Sequence, residues 1–395
     1  VGNAWVGNEL RVVGREGVPF VLHSLISPPA TFFSSEDVNR INRETRVVYP
    51  LPVLGSLRSF ALAPMRFRKR FAEAAWNAVS GKRESARARV AGIWHLFTAC
   101  HWAAGLRHQN VKLIHSQWVH SGGTVAMYGA WLLGVPFSFT GHAADLFRDR
   151  AALEDKIRRA EFIVCISNFH RSFFLEHGAR PEQLQIVYCG IDTSHFSPKP
   201  RASAARRFRI LSSGRLVEKK GFTYLIRACE VLKRRGIDFE CVIAGSGPLE
   251  DELRAQISRA GLEDRVELTG KPLKQEDIPA FMHGADAYCL PCVWAADNDV
   301  DGLPQMLMEA MACGLPAVGT RLVGIPDLIE HEHTGLLVEP EQVEELANAL
   351  QRLKDDPDLA ARLADAGRRQ VLSKFDLSTC LQPLIDKFRA HLEAS

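Results

Sequence analysis

The sequence predicts an α/β protein that folds as two doubly wound, Rossmann-like domains. Its 395 residues are more than one ordinary hydrophobic core organises, and 46% of them are hydrophobic, so two cores are expected. In the second half, short apolar runs alternate with longer helical patterns. That alternation is typical of βαβ units around a parallel sheet.

The second domain is predicted over residues 208–375, where the alternation is clearest. We expect strands at 208–213, 239–244, 265–269, 287–291 and 316–318, with helices near 222–234, 249–259, 278–283 and 305–312 between them.

The first domain is predicted over residues 1–195. A Rossmann-like domain ordinarily opens with a strand and a glycine turn, whereas a helix at 5–15 comes first here. We therefore expect the sequence to lack the first strand of this domain and the loop after it. The remaining strands are predicted near 19–25, 112–115, 137–140, 162–165 and 185–188.

Two further segments are assigned from composition and position. Residues 196–207 are rich in Pro, Ala, Ser and Arg and are predicted to form the linker between the domains. Residues 376–395 follow the last strand pattern and are predicted to form a helix that is a candidate to cross back onto the first domain.

The charge of the protein is unevenly distributed. A net charge of +3 gives no support for a nucleic-acid partner, yet residues 58–107 hold ten Lys or Arg against two acidic residues. Phe67, Phe71, Ala75 and Ala78 share one predicted helical face, which favours a basic amphipathic helix on an anionic membrane surface. The alternative is that Phe67 and Phe71 face the core beneath a solvated charged face.

The apolar runs and the cysteines predict a cytoplasmic protein, peripheral to the inner face of the cell membrane if the basic stretch binds lipid. No run of 18 apolar residues occurs, because Gly134 and Pro136 interrupt the nearest candidate. The nine cysteines are an odd number and scattered, which favours a reducing compartment. Cys289 and Cys292 form a CxxC pair without a second pair, so no zinc site is expected.

A cationic loop follows the first strand of the second domain. Gly214 and Arg215 end that strand, and Lys219, Lys220 and Gly221 open the next helix. Cations beside a helix N-terminus suit a diphosphate, because exposed amides and fixed positive charge both favour an anion. The alternative is an ordinary solvated loop. After the next strand, residues 245–248 read Gly-Ser-Gly-Pro, and such glycines let a backbone approach a nucleotide.

The segment 301–316 carries the most specific pattern. Asp301 lies at the mouth of a predicted helix, and Glu309 follows two turns later, on the same face as Gln305. A carboxylate at that place can hold a ribose diol through two hydrogen bonds, while the helix mouth faces a diphosphate and a sugar. A lone glutamate on a helix would otherwise be interpreted as a solvated surface residue.

Together these motifs resemble glycosyltransferase family 4. The resemblance rests on residues 214–221, on the turn at 245–248 and on the acid-x7-acid segment that ends Glu-Ala-Met-Ala-Cys-Gly-Leu-Pro. Residues 324–329 and 335–338 continue it. In the first half, residues 139–146 and 166–168 are similar to the branch that serves exopolysaccharide and colanic-acid synthesis.

The resemblance implies a GT-B architecture, with two Rossmann-like domains facing a cleft. It also implies a nucleotide-sugar donor in the second domain and a glycan or polyprenyl-linked acceptor in the first. Transfer would retain the anomeric configuration and need neither a metal nor another cofactor.

The same resemblance assigns roles to individual residues. Arg215 and Lys220 would hold the diphosphate, beside the glycines of the two loops. Asp301 would bind the hydroxyls of the donor sugar, although relatives usually have the longer Glu there. His142 would reach the sugar from the opposite domain. The remaining donor-binding residues implied are Gly214, Gly245, Gly247, Gly302 and Leu303, the last two through their amides, and Glu309 for the ribose.

Other classes of function compete with this interpretation. Residues 297–302 resemble the start of a calcium loop, but its twelfth position is Met308 rather than Glu, and Glu309 comes one residue late. A nicotinamide dehydrogenase would need a GxGxxG turn with an acid downstream, which the sequence lacks. A non-catalytic nucleotide-sugar binder and a GT-B hydrolase or epimerase stay open, because a fold does not determine a reaction.

Overall fold

The computed structural model of the chain describes residues 4–27, 36–148, 150–198 and 207–393. The chain forms two compact units. The first contains Val1–Tyr188 together with Leu381–Ser395, and the second contains Cys189–Cys380. The division falls before the predicted linker, of which residues 199–206 lie outside the described part of the chain.

The first unit holds a four-stranded parallel sheet in the order β3-β4-β5-β6 and a separate parallel pair, β1-β2. Its elements are α1 Ala4–Arg15, β1 His23–Ser24, α2 Glu36–Glu44, β2 Arg46–Val47, α3 Val53–Phe67, α4 Lys69–Ser80, α5 Ala86–Leu106, β3 Ile114–Ser116, α6 Ser121–Leu133, β4 Phe137–Gly141, α7 Leu153–Arg159, β5 Phe162–Cys165, α8 Asn168–Glu176 and β6 Leu184–Ile186.

Local signals explain several of these boundaries. The hydroxyl of Ser85 caps α5 by accepting a 3.1 Å hydrogen bond from the Ala88 amide. Gly134, with φ of 72°, ends α6 in the left-handed conformation that favours glycine. The strand predicted at 19–25 is reduced to β1, because Val21 and Ile26 on either side of it are exposed and give no further buried face.

The basic stretch differs from its prediction. α3 ends at Phe67, Arg68 has φ of 50°, and α4 then begins at Lys69, so no single helix carries the expected apolar face. Phe67 and Ala78 are buried in the core, and Phe71 packs against it. The two aromatic residues thus pack on the core, as the alternative expects, and contact between the basic stretch and a membrane stays a prediction.

The second unit is a six-stranded parallel sheet in the order β9-β8-β7-β10-β11-β12, the arrangement of a dinucleotide-binding Rossmann domain. Its elements are β7 Phe208–Ser213, α9 Phe222–Arg234, β8 Phe239–Ala244, α10 Glu250–Arg259, β9 Val266–Leu268, α11 Ile278–Met282, β10 Ala287–Leu290, α12 Gln305–Ala312, β11 Ala317–Thr320, α13 Ile325–Leu328, β12 Leu336–Val338, α14 Val343–Asp355 and α15 Pro357–Lys374, and α16 Leu377–Glu393 begins in it.

Inner strands of the sheet in the second unit are buried on both faces, as their apolar sequences require. Every residue of β10 and β11 is buried. Both strands that flank the point where the order reverses, β7 and β10, end at loops that carry the predicted donor residues. None of the helices in the described ranges has the length and apolar composition that crossing a membrane requires.

Candidate functional site

Two glycine loops meet backbone to backbone at the carboxyl ends of β7 and β8. Gly214 has φ of 151° and Gly245 has φ of 155°, which L-residues rarely adopt. A Cβ atom on Gly245 would lie 1.9 Å from the carbonyl oxygen of Gly214, and one on Gly247 would lie 2.5 Å from that of Leu216. Only glycines allow this approach, which keeps the rim of the sheet open for a ligand.

The loop after β7 brings its lysines to the loop after β10. Glu218–Lys220 forms a short 3-10 turn that leads into α9. The ammonium group of Lys220 forms an ion pair with the carboxylate of Asp301, and that of Lys219 lies 3.3 Å from the other oxygen of the same carboxylate. Lys219 is also 3.1 Å from Asp299. These four side chains form one compact network of two positive and two negative charges, which we call the lysine–aspartate network.

The network determines the charge of its members. Burial alone would raise the pKa of Asp301, but the neighbouring Lys220 and Lys219 outweigh it and lower that pKa below its usual value. Burial alone would lower the pKa of Lys220, but the attraction of Asp301 outweighs burial and raises this pKa above its usual value. Both groups are therefore charged at neutral pH. The thiol of Cys292 lies 3.6 Å from Asp301, and burial raises its own pKa well above the ordinary range.

Arg215 differs from the two lysines. Its side chain is exposed, and within the described ranges it makes no ion pair. It therefore stands at the same loop with its guanidinium in solvent, where an incoming anion could reach it.

The acidic loop 297–301 directs its carboxylates towards lysines. Asp299 and Asp301 pair with Lys219 as described, and the Asp299 amide donates a 3.0 Å hydrogen bond to Asp297. Among the residues that the structure describes, no group of three or more His, Cys, Asp or Glu is arranged to hold a metal ion.

Glu309 occupies a buried position on α12. The residue is only 3% exposed, so it is not a solvated surface glutamate. Its Oε1 accepts a 3.1 Å hydrogen bond from Gln275, and its Oε2 is buried with no hydrogen-bond partner among the described residues. Burial raises the pKa of Glu309 to about 7, against the lowering effect of the Gln275 bond. A buried acceptor without a partner is costly, and a diol that donated to it would satisfy it.

Gly302 and Leu303 connect the network to α12. The carbonyl of Gly302 accepts a 3.0 Å hydrogen bond from the Gly324 amide, which ties this loop to the segment before α13. Leu303 is buried, and Pro304 immediately precedes α12. The second unit thus brings together the glycine loops, the lysine–aspartate network and the helix that carries Glu309.

His142 belongs to the first unit, directly after β4. Its ring packs against two tryptophans that also contact each other, with centroid distances of 4.3 Å to Trp5 and 4.9 Å to Trp118. Its backbone amide donates a 2.9 Å hydrogen bond to Asp145. Burial lowers the pKa of His142 to about 3, so the imidazole is neutral, and its Nε2 is buried without a partner in the part of the chain that the structure describes. A role for His142 towards a donor sugar stays a prediction.

Two contacts of the site escape prediction from sequence. Gln275 lies in a 3-10 turn 34 positions before Glu309, and no local pattern links the two. Lys219 is visible as a second cation beside Lys220, but its pairing with Asp299 depends on how the loop after β10 folds back. The available signal in the sequence was a pair of consecutive lysines in one loop and a pair of aspartates, at positions i and i+2, in another.

The fold and the site together define the class. The chain has two Rossmann-like units with parallel sheets, and in the second a glycine loop lies where the strand order reverses. This is the GT-B architecture that the sequence predicts, and the prediction is confirmed. Residues 195–370 match the family described as Glycosyl transferases group 1, and residues 62–195 match Glycosyltransferase Family 4. The two matches together cover residues 62–370, so the resemblance to glycosyltransferase family 4 that the sequence predicts is confirmed.

Individual relatives agree with this assignment. The chain is 37% identical over 242 residues to the amylovoran biosynthesis glycosyltransferase AmsK of Erwinia amylovora, a match that covers 60% of this chain and 59% of that protein. It is 31% identical over 238 residues to a GDP-mannose-dependent alpha-(1-6)-phosphatidylinositol monomannoside mannosyltransferase of Mycobacterium tuberculosis, covering 58% and 62%. The match thus spans about three fifths of each relative's length.

A solved structure shows the same fold over nearly the whole chain. The Anabaena protein HepE in complex with UDP and glucose superposes with a TM-score of 0.66, covering 97% of this chain and 96% of that one, at 21% identity. At this level of identity the similarity establishes the fold alone.

Proposed function

We propose that the protein is a retaining, metal-independent glycosyltransferase. It transfers a sugar from a nucleotide-sugar donor to a glycan or lipid-linked acceptor in exopolysaccharide synthesis. The proposal rests on two features of one unit: the buried Glu309 carboxylate, whose Oε2 has no partner among the residues that the structure describes, and the cationic loop at Lys220. The first suits a ribose diol and the second a diphosphate.

The donor is a nucleoside diphosphate sugar bound along the loops after β7, β8 and β10. Relatives named for GDP-mannose dependence and a fold neighbour holding UDP support this class of donor. Lys220 and the exposed Arg215 hold the diphosphate, Glu309 holds the ribose, and Asp301 binds the sugar hydroxyls. The relative named for amylovoran biosynthesis supports an exopolysaccharide acceptor.

Transfer proceeds on one face of the sugar. The acceptor oxygen forms a bond to the anomeric carbon as the bond from that carbon to the β-phosphate oxygen breaks, and the acceptor proton passes to the leaving phosphate. Lys220, Arg215 and the amides of Gly302 and Leu303 stabilise the charge that develops on the leaving group. Because those groups supply the electrostatic role of a metal, activity is expected to survive EDTA.

Membrane contact is proposed on a surface other than the predicted aromatic face. Leu54, Met65 and Trp76 are 84%, 77% and 73% exposed, and the cations Arg68 and Lys69 are exposed in the same stretch of the chain. Exposed apolar side chains beside cations suit an anionic lipid surface. The protein would then be cytoplasmic and peripheral at the inner face of the membrane, close to a polyprenyl-linked acceptor.

The test starts from a thermal-shift panel of UDP, GDP, their monophosphates, UDP-glucose and GDP-mannose, because a ligand that binds the folded state raises its melting temperature. The donor with the largest shift is then incubated with membrane glycolipid acceptors, with and without EDTA, and the anomeric proton coupling of the product is read by NMR. A retained configuration in EDTA supports the proposal. An inverted product, or activity restored only by Mg²⁺, contradicts the mechanism.

Two alternatives separate in the same experiment. Tight donor binding without turnover would identify a non-catalytic nucleotide-sugar binder. Release of free sugar, or of an isomerised nucleotide sugar, without an acceptor product would identify a hydrolase or an epimerase.

A further inference from the structure

The lysine–aspartate network gives Lys219 a role separate from that of Lys220. We infer that Lys219 is a positioning residue that holds the Asp301 carboxylate for the donor sugar, and that Asp299 keeps Lys219 in place. This inference rests on the proposed function, since it assigns Asp301 to the sugar.

The distances divide the carboxylate between two cations. Lys220 pairs with Oδ2 of Asp301, and the ammonium group of Lys219 lies 3.3 Å from Oδ1. The same ammonium group lies 3.1 Å from Oδ1 of Asp299. Each carboxylate oxygen of Asp301 therefore contacts a different lysine. Of these two lysines, Lys219 also pairs with a second carboxylate, that of Asp299.

The backbone around Lys219 is anchored to the opposite loop. The Lys219 carbonyl accepts a 3.0 Å hydrogen bond from the Val293 amide, and the Glu218 carboxylate accepts one of 3.1 Å from the Ala296 amide. A Cβ atom on Gly221 would lie 1.8 Å from the carbonyl oxygen of Pro291, so the two segments also touch there. The backbone at Lys219 is thus fixed by hydrogen bonds to the opposite loop, which limits the movement of its side chain.

An incoming diphosphate affects the two lysines differently. Its charge competes with Asp301 for Lys220, because both anions attract the same ammonium group. Lys219 is already shared between Asp299 and Asp301 and is tied to residues 293–296, so it stays where it is. Asp301 then keeps Lys219 on Oδ1 and its orientation, and its Oδ2, with the Cys292 thiol at 3.6 Å, gives up the lysine and can accept hydroxyl groups of the sugar.

The side chain of Asp301 is short, so the position of its carboxylate oxygens depends on the groups that hold them. Without Lys219, Lys220 would be the remaining lysine partner of Asp301, and the carboxylate would be free to follow it towards the diphosphate.

The experiment compares sugar-bearing and sugar-free ligands in four proteins. Calorimetry measures UDP against UDP-glucose, and GDP against GDP-mannose, for the wild type, Lys219→Met, Lys219→Arg and Asp299→Asn. Lys219→Met is expected to weaken binding of the preferred nucleotide sugar about tenfold, equivalent to about 1.4 kcal/mol, while binding of the matching diphosphate changes less than about threefold. Lys219→Arg should restore most of the loss, and Asp299→Asn should show a smaller loss in the same direction.

Lys354→Met is the matched control, because it removes a lysine that pairs with Asp355 at 3.6 Å on α14. It should change neither affinity, and its melting temperature calibrates the loss of one ion pair. Equal loss of diphosphate and nucleotide-sugar affinity in Lys219→Met would overturn the inference, as would no loss of either. If Lys219→Met does not fold, the ratio of the two affinities in Asp299→Asn decides in the same way. A wild type that binds no nucleotide sugar at all would instead reject the proposed function.

Discussion

Gln275 donates a 3.1 Å hydrogen bond to Oε1 of Glu309, while Oε2 of that buried carboxylate has no partner within residues 4–27, 36–148, 150–198 and 207–393. The ligand-free protein therefore carries a group that is incompletely satisfied. Burial raises the pKa of Glu309 to about 7, so a large fraction of it is protonated near neutral pH. This relationship makes the stability and the binding of the protein depend on pH in ways that can be measured.

We predict that Glu309→Gln stabilises the ligand-free protein at pH 8 but changes little at pH 4.5. The pKa of Glu309 is about 7 in the folded protein against an ordinary value of 4.5. Protonation therefore favours the folded state, and this contribution is complete below pH 4.5 and is lost as the pH rises through 7. The difference between these two pKa values corresponds to about 3 kcal/mol in the free energy of unfolding. Urea unfolding between pH 4.5 and 8 measures it.

Glu9→Gln is the matched control for that experiment. Glu9 is buried in the first unit, and burial raises its pKa to about 7 as well. Its substitution should give a similar pH-dependent gain in stability without any change in nucleotide affinity. A Glu309→Gln variant whose stability follows the wild type at every pH would contradict the buried, raised-pKa state of Glu309.

We predict that the same Glu309→Gln substitution weakens nucleoside diphosphate binding. Gln keeps the shape of the side chain but removes its charge and one acceptor, at a cost of about 1.5–3 kcal/mol, or roughly 10–100-fold in affinity. In the wild type, affinity should rise from pH 6 to pH 8 as Glu309 ionises, and this rise should be absent from the variant. Calorimetry at the two pH values measures both effects, and an unchanged dissociation constant would remove Glu309 from the ribose site.

Removal of the two cations assigned to the diphosphate should affect turnover most. Arg215→Ala combined with Lys220→Ala is expected to lower kcat by orders of magnitude, because both groups act mainly on charge that develops in the transition state. In the wild type, a nucleoside diphosphate should raise the melting temperature more than the monophosphate does. The double variant should lose that difference. Equal shifts from both nucleotides in the wild type would argue against these cations as the phosphate site.

Gly245→Ala is expected to destabilise the second unit by at least about 2 kcal/mol, since strain at a positive φ is added to a steric clash. The added Cβ would lie 1.9 Å from the Gly214 carbonyl oxygen. Gly236→Ala separates the two causes, because Gly236 has φ of 72° but open space around it. Its loss should be smaller, about 1 kcal/mol. Equal losses in chemical denaturation would show that the close approach of the two loops contributes nothing.

Membrane binding is tested on the residues that the structure leaves exposed. Charge reversal of Arg68 and Lys69 to Glu should release the protein from anionic vesicles, as should high salt. Arg70 is left unchanged, because its guanidinium donates a 2.9 Å hydrogen bond to the Leu133 carbonyl. Leu54→Ser should weaken vesicle binding without altering its salt dependence. If cosedimentation with anionic vesicles is unchanged by high salt and by all three substitutions, the proposed membrane surface is wrong.

The second unit follows closely from its sequence. The strands predicted at 208–213 and 239–244 and the helices at 222–234 and 305–312 have the bounds of β7, β8, α9 and α12. Each is a long apolar or amphipathic run bounded by glycine or proline, which leaves little choice of register. β12 lies in a segment recognised only through its family motif, because three apolar residues carry no periodicity.

The first unit and the details of the site depend on contacts between distant residues. The apolar spacing around Phe67 and Phe71 is helical, but the break at Arg68 turns those side chains into the core, which no local pattern reveals. The partnership of Gln275 with Glu309 joins a 3-10 turn to a helix elsewhere in the fold. Residue types and spacing thus predict which groups carry chemistry, whereas the network that sets their charge requires the tertiary structure.

The division of the chain has a practical consequence for building hybrid enzymes. Because the segment from Leu381 onward belongs with Val1–Tyr188, a fusion that joins the amino-terminal half of one glycosyltransferase to the carboxyl-terminal half of another would separate two parts of one unit. Phe388 packs its ring against His115 at 5.3 Å, and Arg389 bonds Glu16, so these contacts would be made with a foreign partner. A hybrid with two junctions, near residues 188 and 380, keeps each unit whole and exchanges the unit that carries the proposed donor site.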